Sequence, residues 1–209
     1  MEWSFTDKSN WTGPFFELVF ELGPHPESIA ETRRALDFLW QHPTLDGPYE
    51  SHHVPVDRQP KAVIGDEEPA GLHFYGMATW PDGSRSPCGA VPSIPQPYPD
   101  ELQRRFRLSS SPLESLADEL IFYVPSLYGG PRSIDWWDEI DGELDAAIRY
   151  WLADLAEHVF RSVPFVLAAI GPEALWELER GESGDAPVPG VTVLRPNREG
   201  RLIRLDANR

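Results

Sequence analysis

The sequence predicts an α+β fold in which a layered sheet packs against helices, and three observations favour it. Short segments that alternate apolar and polar residues, typical of strands, recur along the chain. Two longer segments carry apolar residues at helical spacing. A proline-rich connector around residues 92–112 separates two stretches in which strand, helix, strand and strand follow in the same order. We therefore expect one domain over residues 1–209, with the hypothesis of two similar halves at 14–92 and 117–206.

In the first half, residues 15–22 alternate and predict a strand, with apolar side chains on one face and Glu17 and Glu21 on the other. Residues 26–42 have helical spacing and predict a helix. Strands are expected at 72–80 and near 88–91. Residues 44–68 are polar and without clear periodicity, so no strand or helix is predicted there.

The second half begins with a predicted strand at 119–125 and a long helix at 135–161. Residues 163–171 are apolar throughout, as in a central strand that is buried on both faces. A short helix at 172–181 and a terminal hairpin at 190–205 complete the prediction. The apolar stripe predicted for the long helix consists of Trp136, Ile140, Leu144, Ala147, Trp151, Leu155 and Val159.

The chain is strongly acidic, with 34 Asp and Glu residues against 18 Lys and Arg and a net charge of −16. Such a field repels nucleic acid and anionic membranes and speeds the encounter with a basic partner, although solubility alone is the other explanation. No signal peptide is recognisable, and the longest apolar run, residues 163–171, is far short of the ~20 residues that span a bilayer. We expect a cytoplasmic protein that contacts neither nucleic acid nor a membrane.

Motifs of the common enzyme classes are missing from the sequence. It contains no glycine-rich phosphate loop, no H-E-x-x-H zinc motif and no G-x-S-x-G nucleophile elbow. The single cysteine, Cys88, is expected to be a buried neutral thiol. We therefore expect a protein without catalysis and without a cofactor.

A histidine-rich loop leaves one enzymatic alternative open. His52, His53 and Asp57 offer metal-ligand side chains from one loop, and His73 can join them in space. Adjacent histidines in a polar, proline-rich loop are more often plain surface residues. A metal-dependent hydrolase built on these four residues is therefore kept as an alternative.

The segment SIDWWDEIDGELD, residues 133–145, holds six carboxylates and no base. Acids in the first turn of a helix are stabilised by the helix dipole, by about 0.3–1 kcal/mol each, but this accounts for only two or three of the six. The remaining carboxylates indicate a negative surface for a basic partner, with Trp137 as an anchor at the margin of that surface. A nucleic-acid mimic, with carboxylates spaced like phosphates, is a further alternative. The predicted partner-binding residues are Trp137, Asp138, Glu139, Asp141, Glu143 and Asp145.

Scattered motifs resemble those of bacterial polymorphic-toxin immunity proteins, most of all the immunity protein 52 family. They are an N-terminal strand leading into PESIAETRRALDFL, then TLDGPY, an aromatic-rich hairpin with PCG at 87–89, LWELERG, GVTV and GRLIRL. The resemblance covers about half of the chain. It implies a non-catalytic protein that binds and neutralises a cognate toxin domain, often a nuclease and therefore basic.

Overall fold

An eight-stranded antiparallel sheet forms the centre of the molecule, and two helices lie against it. The structure is a computed structural model, and it describes residues 4–11, 15–24, 27–65, 72–81, 83–93, 117–125, 142–172, 174 and 191–206. The strands are β1 (Phe15–Pro24), β2 (Leu45–Tyr49), β3 (Phe74–Thr79), β4 (Arg85–Ser93), β5 (Ala117–Pro125), β6 (Leu167–Pro172), β7 (Thr192–Pro196) and β8 (Leu202–Asp206). The helices are α1 (Ile29–Trp40) and α2 (Gly142–Phe160), with short 3-10 helices at Lys8–Trp11 and Val56–Arg58. The predicted α+β fold is confirmed.

The sheet order is β2-β3-β4-β5-β1-β6-β7-β8, so one sheet contains strands from both predicted halves. The described elements run strand, helix and three strands, and then repeat that order. Their positions in the sheet do not repeat it. Outward from the central pair of β1 and β5, the later strands of the first half run β4, β3, β2, whereas those of the second half run β6, β7, β8. Strand β5 lies between β1 and β4, and β1 lies between β5 and β6, so each separates the other from the later strands of its own half.

Strand β1 shows why the centre of the sheet is stable. Its residues Phe16, Leu18 and Phe20 point to the helices and are buried in the main core, as the alternating pattern predicts. Val19 points to the other side and is also fully buried, in a second apolar cluster. The sheet is thus buried on both faces at its centre, which is also where the apolar strand β6 lies.

Both helices lie on the same face of the sheet, where their buried residues join one core. The prediction for α2 was wrong in one detail, since Ala147 is exposed while Ile148 and Leu152 are buried. The buried stripe of α2 is wider than a single line of residues, because the helix contacts α1 as well as the sheet. In the part of the chain that the structure describes, no helix is long and apolar enough to cross a membrane.

A partly buried polar chain joins the end of α1 to α2. The indole N–H of Trp151 donates to the Thr44 hydroxyl at 3.1 Å, and that hydroxyl lies 2.8 Å from Nδ1 of His42. Nε2 of His42 lies 3.2 Å from the Asp154 carboxylate. Because Nδ1 also accepts from the Thr44 backbone N–H, the proton of a neutral His42 is on Nε2 and is donated to Asp154. His42 is buried in this network.

Strand β2 was not predicted, since residues 44–68 lack periodicity. Its sequence, LDGPY, contains glycine and proline, and its pairing with β3 is irregular between Asp46 and Tyr49. The reason for the glycine is visible on the helix side. A Cβ at Gly47 would lie 2.6 Å from Cζ3 of Trp40, so the indole ring packs directly on the strand backbone.

Candidate functional site

The sheet face directed away from the helices, called here the distal face, carries the candidate site. A cavity of about 470 Å³ lies on it. Strands β1, β3, β4 and β5 supply its floor, and the first 3-10 helix and the loop after β2 supply its walls. The floor residues are Phe15, Glu17, Tyr75, Val91, Ile121 and Tyr123, and the wall residues are Lys8, Trp11, His52, His53 and His73.

Strand register places the central floor residues in one row. Tyr75 of β3 pairs with Gly89 of β4, Gly89 pairs with Tyr123 of β5, and Tyr123 pairs with Glu17 of β1. Paired residues of neighbouring strands point to the same face of a sheet. Two tyrosines and a carboxylate therefore stand side by side on the distal face.

Gly89 makes room in this row. A Cβ at this position would overlap Cζ and Oη of Tyr123 and would lie 2.8 Å from its Cε2. The Tyr123 ring therefore lies across the backbone of β4, toward Tyr75. Any larger residue at position 89 has to displace that ring.

The walls are aromatic and meet the floor at steep angles. The Trp11 ring lies 5.0 Å from the Tyr75 ring at 84° and 5.1 Å from the His52 ring at 41°. The indole N–H of Trp11 donates to the Phe5 carbonyl at 2.9 Å, which holds the ring in this orientation. On the other side of the floor, Phe15 lies 4.9 Å from Tyr123 at 63°.

The histidines cluster beside Tyr75. The His52 ring lies 3.9 Å from that of His53 and 4.7 Å from that of Tyr75, and the His73 ring stacks on Tyr75 at 6.3 Å. Burial, followed by the nearby His53 and His73, lowers the pKa of His52. Its imidazole is therefore neutral at neutral pH.

Burial also keeps the tyrosines of the floor neutral. It raises the pKa of Tyr75, and it raises the pKa of Tyr123 far above its usual range. Glu17 and Lys8 add one acidic and one basic side chain to the lining of the cavity.

The structure brings three of the four predicted metal ligands to this cavity. His52, His53 and His73 line it, whereas Asp57 does not. Within the described residues, no group of three or more His, Cys, Asp or Glu side chains is arranged to hold a metal ion. Instead, the His52 ring contacts those of His53 and Tyr75, and the His73 ring stacks on Tyr75.

The predicted acidic surface falls on residues whose side chains the structure does not describe. Trp137, Asp138, Glu139 and Asp141 lie outside the described residues. Glu143 and Asp145 belong to the first turn of α2, but the structure does not describe their side chains. The partner-binding role of these six residues stays a prediction.

Cys88 is not available for chemistry. Its side chain is fully buried on the helix side of the sheet, as the sequence predicted, and burial raises the pKa of its thiol well above the usual value. A protonated, inaccessible thiol does not act as a nucleophile.

Sequence reasoning missed most of the floor and walls. Glu17 was recognised only as the polar face of a strand, and Trp11, Tyr75 and Tyr123 were not singled out. The available signal was the alternation itself, because it places Glu17 and Tyr75 opposite the apolar residues of their strands. It carries no information on which strands become neighbours.

No protein-family model, no curated protein and no solved structure matches this chain. What the cavity can bind therefore follows from its own geometry and charge. Its volume and its largely aromatic lining are within the range of small-molecule binding pockets, which are about 300–1,000 Å³ and mainly apolar.

Proposed function

We propose that this protein is a non-catalytic inhibitor that binds and neutralises a basic protein, in the manner of an immunity protein and its toxin domain. The observation that carries the proposal is the distal-face cavity, which combines aromatic walls with a carboxylate on a chain of net charge −16. Aromatic pockets surrounded by charge complementary to the partner are typical of the energetic centres of protein interfaces. We further propose that the protein acts in the cytoplasm.

The acidic segment 133–145 has a second role in this proposal. Its carboxylates, with those of the rest of the chain, attract a basic partner over a distance of about one Debye length, roughly 8 Å at physiological salt. Charges of this kind raise the association rate more than they change the lifetime of the complex. The proposed division is that the acidic segment speeds the encounter and the cavity holds the bound partner.

The first test is to identify the partner and to measure protection. The full chain is used to capture proteins from the lysate of its source at low and at moderate salt. The gene of a retained basic protein is then expressed in a heterologous bacterium with and without this chain. We expect growth arrest by the partner alone and restored growth on co-expression. If co-expression restores no growth, the retained protein is not a toxin that this chain neutralises, and capture of a DNA-binding protein instead would favour the nucleic-acid mimic.

The second test addresses the acidic segment. The triple variant Asp141→Arg, Glu143→Arg, Asp145→Arg should slow association with the partner at least about tenfold and flatten its salt dependence. A matched control reverses three exposed acids elsewhere, which are Glu27, Asp37 and Glu157. Both variants change the net charge equally, so a purely global effect would slow them equally. An association rate that the first variant leaves unchanged would exclude the segment from the interface.

The metal-dependent hydrolase is the second candidate. Three histidines line one cavity, but a metal ion would have to draw them into an arrangement that the described residues do not show. It predicts stoichiometric zinc or manganese in the purified protein and a rise in melting temperature when either metal is added. Elemental analysis and thermal unfolding of the wild type and of His52→Ala decide between the two. Metal bound by the wild type and lost in the variant would favour the hydrolase.

A further inference from the structure

We propose that the distal-face cavity holds the guanidinium group of an arginine side chain that the basic partner presents. This inference rests on the proposed function and deepens it, since it names the group that anchors the partner. The observations behind it are the ring geometry, the position of Glu17 and the charge of the chain.

The rings of the cavity suit a flat cation. Trp11 and Tyr75 stand nearly perpendicular, and His52 is tilted between these orientations, so ring planes of several directions surround one space. The faces of tryptophan and tyrosine carry negative electrostatic potential and attract cations within about 6 Å of the ring centre. Guanidinium gains more here than an ammonium group, because it is planar, stacks on rings and is more weakly hydrated.

Glu17 supplies the complementary charge. It is half-buried in the floor, directly beside Tyr123 in the row across the strands. Glu17 already interacts within the chain, so a guanidinium group competes for its carboxylate, which can accept two parallel hydrogen bonds from that group. The aliphatic part of an arginine side chain meanwhile fits the apolar part of the floor, which Val91 and Ile121 form.

The charge balance favours a cation over an anion. Lys8 at the wall opposes a second positive charge, but it is one base on a chain with 16 more acids than bases. His52 adds no positive charge at neutral pH, because burial lowers its pKa. The charged and titratable groups around the cavity are Lys8, Glu17, His52, His53, His73, Tyr75 and Tyr123.

The test uses the full chain and two probes that differ only in charge. N-acetylarginine amide carries the guanidinium group, and N-acetylcitrulline amide replaces it with a neutral urea of nearly the same shape. Dissociation constants are measured by titration and nuclear magnetic resonance at low salt. We expect the arginine probe to bind about tenfold more tightly than the citrulline probe.

Three variants locate the effect. Glu17→Gln should remove most of the preference for the arginine probe, and Lys8→Met should increase it. The matched control Glu157→Gln removes one exposed acid from α2, on the opposite side of the sheet, and should leave the preference unchanged. Thermal unfolding verifies that each variant is folded. If Glu17→Gln does not fold, the effect of Lys8→Met on the preference for the arginine probe is the deciding result.

Equal affinity for both probes, binding of neither, or a preference for N-acetylglutamate amide would overturn the arginine site. So would a preference that Glu17→Gln and Lys8→Met both leave unaltered. The partner takes no part in these titrations. If the wild type protects growth but the arginine probe fails to bind, the arginine site is rejected and the inhibitor function is kept. If the arginine probe binds but the wild type gives no growth protection, the inhibitor function is rejected and the arginine site is kept.

Discussion

Gly76 of β3 lies directly beneath the indole ring of Trp40, and its replacement by alanine tests how tightly the helix side of the sheet is packed. A Cβ at this position would overlap Cζ3 of Trp40 and would lie 2.8 Å from both Cη2 of Trp40 and the backbone oxygen of Asp46. Carbon atoms in favourable contact are about 3.5–4.0 Å apart, so the overlap is close to 1 Å. Trp40 is itself buried and packs against Phe122, which leaves its ring little freedom to move.

Overpacking of this kind typically costs about 1–3 kcal/mol. We expect Gly76→Ala to cost about 3 kcal/mol, at the top of that range, because backbone closes one side of the site and a buried ring the other. For a chain of this length, such a loss lowers the melting temperature by about 6–12 °C. The measurement is urea denaturation, in which the midpoint should fall while the slope m stays constant.

A double-mutant cycle assigns the cost to the indole. Phenylalanine lacks the second ring of tryptophan, so Gly76→Ala should cost at least about 1 kcal/mol less in a Trp40→Phe background. Part of the cost should remain, since the contact with the Asp46 backbone is unaffected. A cost below about 0.5 kcal/mol, or the same cost in both backgrounds, would refute the packing of Trp40 on β3.

Three further predictions concern the polar network around His42, the N-terminus of α1 and the cavity. Burial lowers the pKa of His42 although the Asp154 carboxylate opposes this, so the unfolded chain binds a proton before the native state does. The stability that neutral His42 contributes is therefore present above the unfolded pKa of about 6.5 and is lost as pH falls below it. We expect the urea midpoint of a His42→Gln variant to drop less between pH 7.5 and pH 5.5 than that of the wild type. The buried Ser28 hydroxyl lies 2.8 Å from the buried Asp118 carboxylate. Ser28→Ala should lower the free energy of unfolding by about 2 kcal/mol, as measured by urea denaturation, and a loss near zero would mean that this contact is not formed. Gly89→Ala should displace the Tyr123 ring and weaken binding of the arginine probe, while an unchanged affinity would show that this ring does not shape the cavity.

The sequence by itself determined the local elements and their facing. Alternation in residues 15–22 identified β1 and the side on which Glu17 lies, and helical spacing identified α1 and much of α2. The terminal hairpin was predicted for the same reason. These features follow from side-chain periodicity along a few neighbouring residues, which is a local property of the chain.

Only the tertiary structure decided which of these elements meet. Strand β2 has no periodic signal, and it exists because its glycine fits beneath Trp40 and its backbone pairs with β3. The cavity draws Trp11, Glu17, Tyr75 and Tyr123 from four elements of the chain. They become neighbours through strand order and register, and these depend on the burial of apolar surface over the whole sheet. A long-range outcome of this kind leaves no mark in the spacing of the residues that it brings together.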